Sequence, residues 1–416
     1  MKIPHVRWWI AGLLFLSTVI NYVDRQVLSI VAPTLTKELG LSAVDYANIL
    51  NAFLVAYTLM YLGSGVLVDR WGTRAALAVF VAWWSVSNML HAFARTGMQL
   101  GFFRLLLGIG EPGNFMAGAR AISEWYLPKE RAFVNGLVQA GASVGAVIAP
   151  PLVVWLVKYY GDWRMAFVLT GAAGFVWVGL WLFFYHLPKN HPRVTDAERT
   201  LVESALAHPP AGKVPWISLL RYRQTWGLLL GRFFSDPVWW FYLFWLPKFL
   251  VDKRGFSMDQ VGMLAWMPYL SADAGAIVGG VLSGHLVKRG WPVLSARSAS
   301  MWPFALLMPL SLLVPYAPSN TAVLAIICVV TFAHMAWKTN IMTITNDLYP
   351  AHVVGSLAGI VAFGNGLGGT LFTWLVGWIV QYYSYDAIFI IMGFMHPTAY
   401  LVFRHLVREP VVIKES

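Results

Sequence analysis

The sequence predicts an all-α polytopic membrane protein: twelve transmembrane helices in two pseudo-symmetric six-helix bundles. Three observations carry that prediction. Of 416 residues, 58% are hydrophobic and only 12% charged, roughly half the charged share of a soluble domain. Apolar runs of about 20 residues recur along the whole chain, the length at which a helix crosses a bilayer core. The polar punctuation of the first half also returns in the second. Gly40-Leu-Ser is echoed by Gly255-Phe-Ser, and Gly65-Val-Leu-Val-Asp69-Arg70 by Gly284-His-Leu-Val-Lys288-Arg289. Leu127-Pro128 is echoed by Tyr349-Pro350. The order is kept and the offset is nearly constant, which argues for duplication and for two halves related by an axis along the membrane normal.

Taken in order, the spans fall at roughly 8–35, 46–68, 75–95, 98–124, 132–157 and 164–187 in the first half. In the second they fall at roughly 224–250, 258–283, 298–316, 321–346, 354–381 and 386–406. Span one follows Met-Lys-Ile-Pro-His-Val-Arg and runs on into Asn21-Tyr-Val-Asp-Arg without a small-residue cleavage site. It therefore reads as a retained helix and not a signal peptide. The one long polar segment, 188–223, carries six Lys/Arg and reads as a cytoplasmic linker. The domains are accordingly 1–187, 188–223 and 224–416. Short connectors elsewhere make successive helices antiparallel neighbours. In span seven, Asp236-Pro237 should interrupt the helix, because proline lacks the N–H of the helical ladder and its ring crowds the preceding turn.

Net charge +11 raises the question of nucleic acid, but the placement of the charges answers it. Lys and Arg concentrate in the segments assigned to the cytoplasm, as the positive-inside rule requires. Both termini are placed on that side of a bacterial inner membrane. The lipid bilayer is the expected macromolecular surround, with no nucleic-acid partner, and a monomer is expected. The single cysteine, Cys328, precludes an intramolecular disulfide. No nucleophile–base motif, metal cluster or phosphate loop marks an enzyme, and no cofactor is expected beyond protons as a coupling ion.

The informative residues are charges inside apolar runs, which survive in a membrane mainly where they face a bundle interior or an aqueous cavity. Arg104 and Glu111 stand seven apart in Gly-Phe-Phe-Arg-Leu-Leu-Leu-Gly-Ile-Gly-Glu-Pro-Gly, nearly two turns, so they share a helix face. Span one holds a polar island of Asn21, Asp24, Arg25 and Gln26. At 1.5 Å per residue, the depth of Asp24 below the outer end of its span falls between those of Arg104, at about 8 Å, and Glu111, at about 18 Å.

Several stretches resemble a known family. Gly65-Val-Leu-Val-Asp69-Arg70-Trp-Gly72-Thr-Arg74 resembles the loop 2–3 signature of the major facilitator superfamily, and Arg104-Leu-Leu-Leu-Gly108-Ile-Gly110 its span-four motif. Asn21-Tyr22-Val-Asp24-Arg25, Gly-Glu111-Pro-Gly-Asn and Arg120-x-x-x-Glu124-Trp-Tyr-x-Pro128 are similar to its anion:cation symporter branch. Asp236-Pro-Val-Trp-Trp-Phe-Tyr-Leu-Phe-Trp-Leu-Pro247, with Ala333-His334-x-x-Trp337-x-Thr-Asn340, is similar to bacterial hexuronate transporters. Lys338, Asp273 and the Lys288 that replaces Asp69 in the second copy depart from the pattern.

The resemblance implies a proton-coupled symporter importing a small organic anion by alternating access, with a hexuronate (glucuronate or galacturonate) as substrate. Carriage of an aldonate or aldarate is the alternative within transport, and a non-transporting anion sensor the alternative outside it. Spans one and four would both line the cavity, bringing four charges to one level. Asp24 and Glu111 are the proton-coupling candidates and Arg104 their tuning partner, since an opposite charge favours a carboxylate and burial opposes it. A static salt-bridge network is the competing reading. Arg25 is assigned to the substrate carboxylate, which a guanidinium can hold through two parallel hydrogen bonds.

Tyr22 and Tyr57 match substrate-contacting positions, while Asn340, Thr343 and Asn365 are hydrogen-bonding groups suited to sugar hydroxyls. Asn residues of this kind also serve as helix–helix contacts. Trp239, in an aromatic cluster of span seven, would stack on a sugar face. Lys338 is either a second anion contact or a snorkelling side chain. His334 shares its helix face and reads as a substrate contact or a structural residue. Asp69, Arg70 and Arg74 are the gating candidates, with Asp69 meeting the start of span eleven and Arg74 better suited to fixing topology.

Overall fold

The computed structural model describes residues 5–206, 216–349 and 354–409, and within them every long element is a helix and no strand occurs. Among the described residues, nine helical stretches are long and apolar enough to cross a membrane: Val6–Glu38, Ala43–Tyr61, Gly63–Phe93, Phe133–Tyr160, Arg164–Phe184, Met258–Lys288, Asn320–Leu348, Leu357–Tyr382 and Tyr385–Leu406. They correspond to spans one, two, three, five, six, eight, ten, eleven and twelve.

The other three spans are assembled from shorter pieces. Span four is Gly97–Gly110 followed by Pro112–Trp125. Span seven is Arg223–Ser235, Pro237–Phe244 and Leu246–Arg254. Span nine is Val293–Leu307 continued by the 3₁₀ turn Met308–Leu313. Prolines account for these interruptions. Pro112, Pro237 and Pro247 cannot donate to the carbonyl four residues back, and each sits just inside the start of a new segment. Glu111 and Asp236, immediately before two of these breaks, keep helical backbone angles. The axis therefore continues through them while the ladder is cut. Spans two and three form one run, Ala43–Leu90, broken only at Gly72 (φ 76°, ψ 156°), a backbone conformation that residues with a Cβ avoid.

Two compact units result. One comprises Met1–Gly40 with Ala52–Pro210, the other Leu41–Asn51 with Ala211–Ser416. The start of span two thus belongs to the second unit. There Tyr46 donates to the Phe244 carbonyl (2.8 Å) and meets Trp245 edge-on, and the Ala43 N–H donates to Gln381.

The same packing device operates in both units. In the first, a Cβ on Gly141 would lie 2.5 Å from the Phe15 carbonyl oxygen, and one on Gly145 2.6 Å from that of Val19. Span five therefore rides directly on the backbone of span one. In the second, Gly364 and Gly368 of span eleven abut the carbonyls of Leu229 and Phe233 of span seven in the same way. Small residues four apart let helices approach where lipid supplies no hydrophobic drive. The paired glycines, and the paired carbonyls four apart, repeat the duplication at atomic detail. In the first unit the linker is tied back to span one, because Glu198 accepts from the N–H groups of Val6 and Arg7 (3.1 Å each).

Candidate functional site

The close contact of spans one and five presents the polar island of span one towards span four. Arg25 donates through Nε (2.7 Å) and Nη2 (2.5 Å) to a single oxygen of Glu111, Oε2, and through Nη2 to Asn21 Oδ1 at 3.2 Å. Arg25 is 1% exposed and Glu111 0%. This is a fully buried ion pair, in which loss of either partner strands a charge. The other Glu111 oxygen, Oε1, is buried without a hydrogen-bond partner. The guanidinium carbon of Arg25 stands 4.6 Å from the ring centre of Tyr22, 4.9 Å from Tyr57 and 5.4 Å from Phe53. These aromatic faces stabilise the cation. Tyr22 and Tyr57 are half-buried, so this cage is the side of the ion pair that reaches accessible space.

Arg104 does not take the place beside Glu111. Seven residues along a helix is about 10 Å of rise, too far for a direct contact, whereas Arg25 reaches across from the neighbouring span. Arg104 Nη2 donates instead to the backbone carbonyl of Arg25 (3.0 Å) and lies over the Phe53 ring at 5.6 Å. It braces the turn of span one that carries both Asp24 and Arg25, and its charge is felt by Asp24 and Glu111.

Asp24 is held from another direction. Its Oδ1 accepts from Asn88 Nδ2 (2.8 Å), and the same amide nitrogen is 2.9 Å from Thr170 Oγ1 and 3.2 Å from the Phe167 carbonyl. Adjacent residues of a helix project about 100° apart, so spans three and six receive Asp24 while span four receives Arg25. The four charges form two linked clusters across four helices. Neither Asn88 nor Thr170 was among the sequence candidates. Asn88 could have been flagged as an amide inside an apolar run, the signal that marked Asp24.

The second unit gathers its polar groups around span seven. Arg232 and Asp236, one turn apart and both largely buried, pair at 2.5 Å (Nη2) and 2.7 Å (Nε). His334 Nδ1 of span ten and His396 Nε2 of span twelve are 3.0 Å apart, and both rings are fully buried. Trp239 stacks on His334 with ring centres 5.8 Å apart and planes 6° apart, and Lys338 Nζ stands 5.7 Å from the Trp239 ring centre. Trp239 and Lys338 are half-buried. Arg232, Asp236 and His396 were not among the sequence candidates, and His396 meets His334 across 62 residues of sequence.

The remaining candidates divide. Asn340 is fully buried and its amide donates to the carbonyls of Gly279 and Ala336 (3.0 Å each), so it joins spans eight and ten. Thr343, half-buried, bonds back to Thr339 (2.7 Å), and Asn365 Oδ1 accepts from Trp240 Nε1 (2.9 Å). Asp69 is exposed and meets Arg120 at 2.5 Å, and Arg120 in turn meets Glu124 at 3.0 Å. Residues 350–353, which lead into span eleven where Asp69 was expected to dock, lie outside the described residues. Arg74 donates to the Leu182 carbonyl at 2.5 Å and its own carbonyl accepts from Trp181, fastening loop 2–3 to the end of span six. Arg70 is exposed and Asp273 half-buried.

Comparison with known proteins gives a consistent set of relatives. The model of the Major Facilitator Superfamily matches residues 14–373. The chain is 33% identical over 398 residues to a hexuronate transporter of Escherichia coli (strain K12), covering 94% of this chain and 92% of that one. It is 37% identical over 285 residues to a galacturonate transporter of Dickeya chrysanthemi, covering 68% and 82%. It is also 31% identical over 416 residues to a probable galactarate/D-glucarate transporter of Escherichia coli (strain K12), covering 94% and 92%. A bacterial homolog to the human lysosomal transporter Spinster, solved in an inward-facing and unoccupied conformation, has the same fold. Its TM-score is 0.79 at 18% identity, covering 97% of this chain and 98% of that one.

Proposed function

The chain belongs to the Major Facilitator Superfamily and is a transporter rather than an enzyme; from that premise we infer that it is a proton-coupled symporter of a sugar acid, with a hexuronate such as glucuronate or galacturonate as substrate. The observation that carries this reading is the Arg25–Glu111 pair. One carboxylate oxygen occupies two donors on one edge of the guanidinium, Nε and Nη2, leaving that edge of Arg25 committed to Glu111. A proton on Glu111 removes its charge and with it most of the attraction. The same two N–H groups can then take a substrate carboxylate in the bidentate geometry that guanidinium favours. Glu111 thus exchanges its hold on Arg25 for a proton as the anion arrives, and proton and anion move together. Tyr22 and Tyr57, which already flank the guanidinium, are placed to meet the sugar beside its carboxylate. Asp24, held by Asn88 and Thr170, is the second proton-coupling candidate, and Arg104 fixes the turn that carries both groups.

The sugar-acid assignment is supported by relatives named for hexuronate, galacturonate and galactarate/D-glucarate transport. In the second unit, Trp239 presents a half-buried ring with Lys338 over it. A ring face beside a cation complements a pyranose bearing a carboxylate. Aldarates, which carry a carboxylate at each end, are the second reading, favoured by Lys338 as a further cation. The distribution of Lys and Arg supports a bacterial inner-membrane location with both termini cytoplasmic.

Proteoliposomes provide the test. An inward proton gradient should concentrate labelled glucuronate, and competition among uronates, aldonates and aldarates should rank uronates first. Uptake insensitive to both pH gradient and membrane potential would overturn the symport reading, and an aldarate outcompeting every uronate would overturn the substrate.

A further inference from the structure

The duplication that repeats the helices also repeats a cavity. In the first unit a cavity of about 420 Å³ opens between loop 2–3 and the end of span six, with Gly72, Ala75, Leu182, Tyr185 and His186 in its lining. In the second unit a cavity of about 670 Å³ opens between loop 8–9 and the end of span twelve, with Trp291, Leu294, Leu401, Arg404 and His405 in its lining. Taken in that order, each residue of the second set follows its counterpart in the first at one constant offset. The same offset separates Asp69 from Lys288. The two cavities occupy equivalent places in the repeat, so their difference in charge is informative.

The first copy contains its own anion. Glu124 lines it and accepts from Arg120 (3.0 Å) and from the Tyr185 hydroxyl (2.5 Å). In the second copy Arg404 stands in the place of Tyr185, and Lys288 in the place of Asp69. Arg404, His405 and Arg408 line the cavity, and among the described residues no Asp or Glu does. Asp347 of span ten is already paired with Arg297 (3.1 Å). Glu409, which follows Arg408, is exposed and outside the lining.

Local structure sets these groups in place. Arg404 Nη1 donates to the Tyr400 hydroxyl (3.2 Å), a neutral acceptor that leaves the positive charge uncancelled. Tyr400 is buried, with its hydroxyl 3.4 Å from Ser298 Oγ of span nine. Span eight ends at Gly290 in the left-handed region (φ 87°), and the Trp291 N–H returns to the Leu286 carbonyl (3.2 Å), which fixes the start of the cavity wall. Leu294 and Ser295, in the first turn of span nine, line the cavity too, and the backbone N–H groups of a helix start favour an anion. The outer wall is apolar and open, with Leu401 64% exposed and Trp291 47%. Apolar side chains exposed at the end of a spanning helix meet acyl chains, and an indole suits the membrane interface. Cations at headgroup level thus adjoin an apolar, lipid-facing wall. A small soluble anion would use only the cations, whereas a phospholipid uses both.

We propose that this cavity binds the phosphodiester headgroup of an anionic phospholipid, drawn from the leaflet that the Lys/Arg distribution assigns to the cytoplasm. Arg404 and Arg408 hold the phosphate, a group that guanidinium donors match well, and the acyl chains run along Leu401 and Trp291. The lipid supplies from the membrane the negative charge that Glu124 supplies in the first unit, and it ties the start of span nine to the end of span twelve. The site is independent of which anion is transported.

The whole protein, purified in a neutral detergent, is titrated with dioleoylphosphatidylglycerol or dioleoylphosphatidylcholine, and bound lipid is counted by native mass spectrometry. The first phosphatidylglycerol should bind more tightly than the first phosphatidylcholine. In Arg404→Gln and Arg408→Gln, singly and together, its affinity should fall about fivefold for each arginine removed. The paired variant Arg404→Lys with Arg408→Lys keeps the charge and should keep most of the affinity. Arg95→Gln, exposed in the loop between spans three and four, should leave it unchanged. Melting temperatures recorded without lipid verify that each variant folds, and the single variants decide the outcome if the double variant does not. Equal affinity for the two lipids, or phosphatidylglycerol affinity unchanged in both single variants, overturns the site. Glycerol 1-phosphate, a headgroup without chains, distinguishes the sources of the phosphate. Competition by it at the concentration of the lipid overturns the lipid as occupant, and failure to compete supports it.

Discussion

The two units share a scaffold and differ in what they bury inside it. In both, glycines four apart ride on carbonyls four apart, span five on span one and span eleven on span seven. On span one, the adjacent pair Asp24-Arg25 sends its charges to different neighbours, with Arg25 reaching Glu111 on span four and Asp24 reaching Asn88 on span three. On span seven, Arg232 and Asp236 stand four apart and satisfy each other within one helix. The lesson is about partnership. An ion pair closed within one helix is a fixed structural element, whereas a pair split between helices can be opened by a proton or a competing anion. In the first unit the charges find their partners on other helices. In the second, the ion pair closes within span seven itself.

The sharpest way to break this comparison is to remove the two arginines in parallel. Arg25→Gln should abolish glucuronate uptake and also strand Glu111, a penalty of about 3–5 kcal/mol. Arg232→Gln should incur a similar stability penalty, visible as a lowered melting temperature, while leaving measurable uptake. Equal loss of transport in both, with no change in melting, would erase the distinction.

Next in size is Glu111→Gln. It mimics the protonated state, so gradient-driven accumulation should disappear while substrate exchange at zero gradient persists. Full accumulation in this variant would remove Glu111 from coupling. Asn88→Ala comes third. It takes a neutral donor from a buried carboxylate, a loss of about 1.5–3 kcal/mol for a bond to a charged group, and initial uptake rates should fall roughly tenfold or more. A rate within twofold of the parent would make Asn88 a packing residue. The smallest effects belong to the second unit. Trp239→Ala should raise the half-saturating glucuronate concentration a few-fold, the scale of one lost ring contact of about 0.5–1.5 kcal/mol, with Trp239→Phe close to the parent. Asn340→Ala should lower thermal stability and leave that concentration unchanged, because its amide is already bonded to span eight.

Much of this was legible from residues alone, because lipid imposes strict rules. Spans were visible as apolar runs, and the break at Asp236-Pro237 followed from the missing N–H of proline. The importance of Asp24, Arg25, Arg104 and Glu111 followed from the cost of burying charge. Asn340 shows where such reading stops. A polar residue in an apolar run announces that it has a partner, but not whether that partner is a ligand or the next helix. Its amide is bonded to the carbonyls of Gly279 and Ala336, and nothing local to residue 340 says so. Asn88 and His396 illustrate the converse. Each was a visible polar exception in an apolar span, and each acquired meaning only through a residue 64 or 62 positions away.

By itself the sequence determined that the chain is a twelve-span, duplicated, all-helical membrane protein, and which few charges it takes into the membrane. Those properties are set residue by residue, by hydropathy, helical reach and the penalty for desolvating a charge. Only the tertiary structure decided who meets whom: that Glu111 is held by Arg25 and not by Arg104, that Asp24 turns to Asn88, and that two histidines share one contact. Pairing depends on the azimuth at which packed helices face each other, and that angle is fixed by side-chain fit between spans, such as the seat of Gly141 and Gly145 on span one.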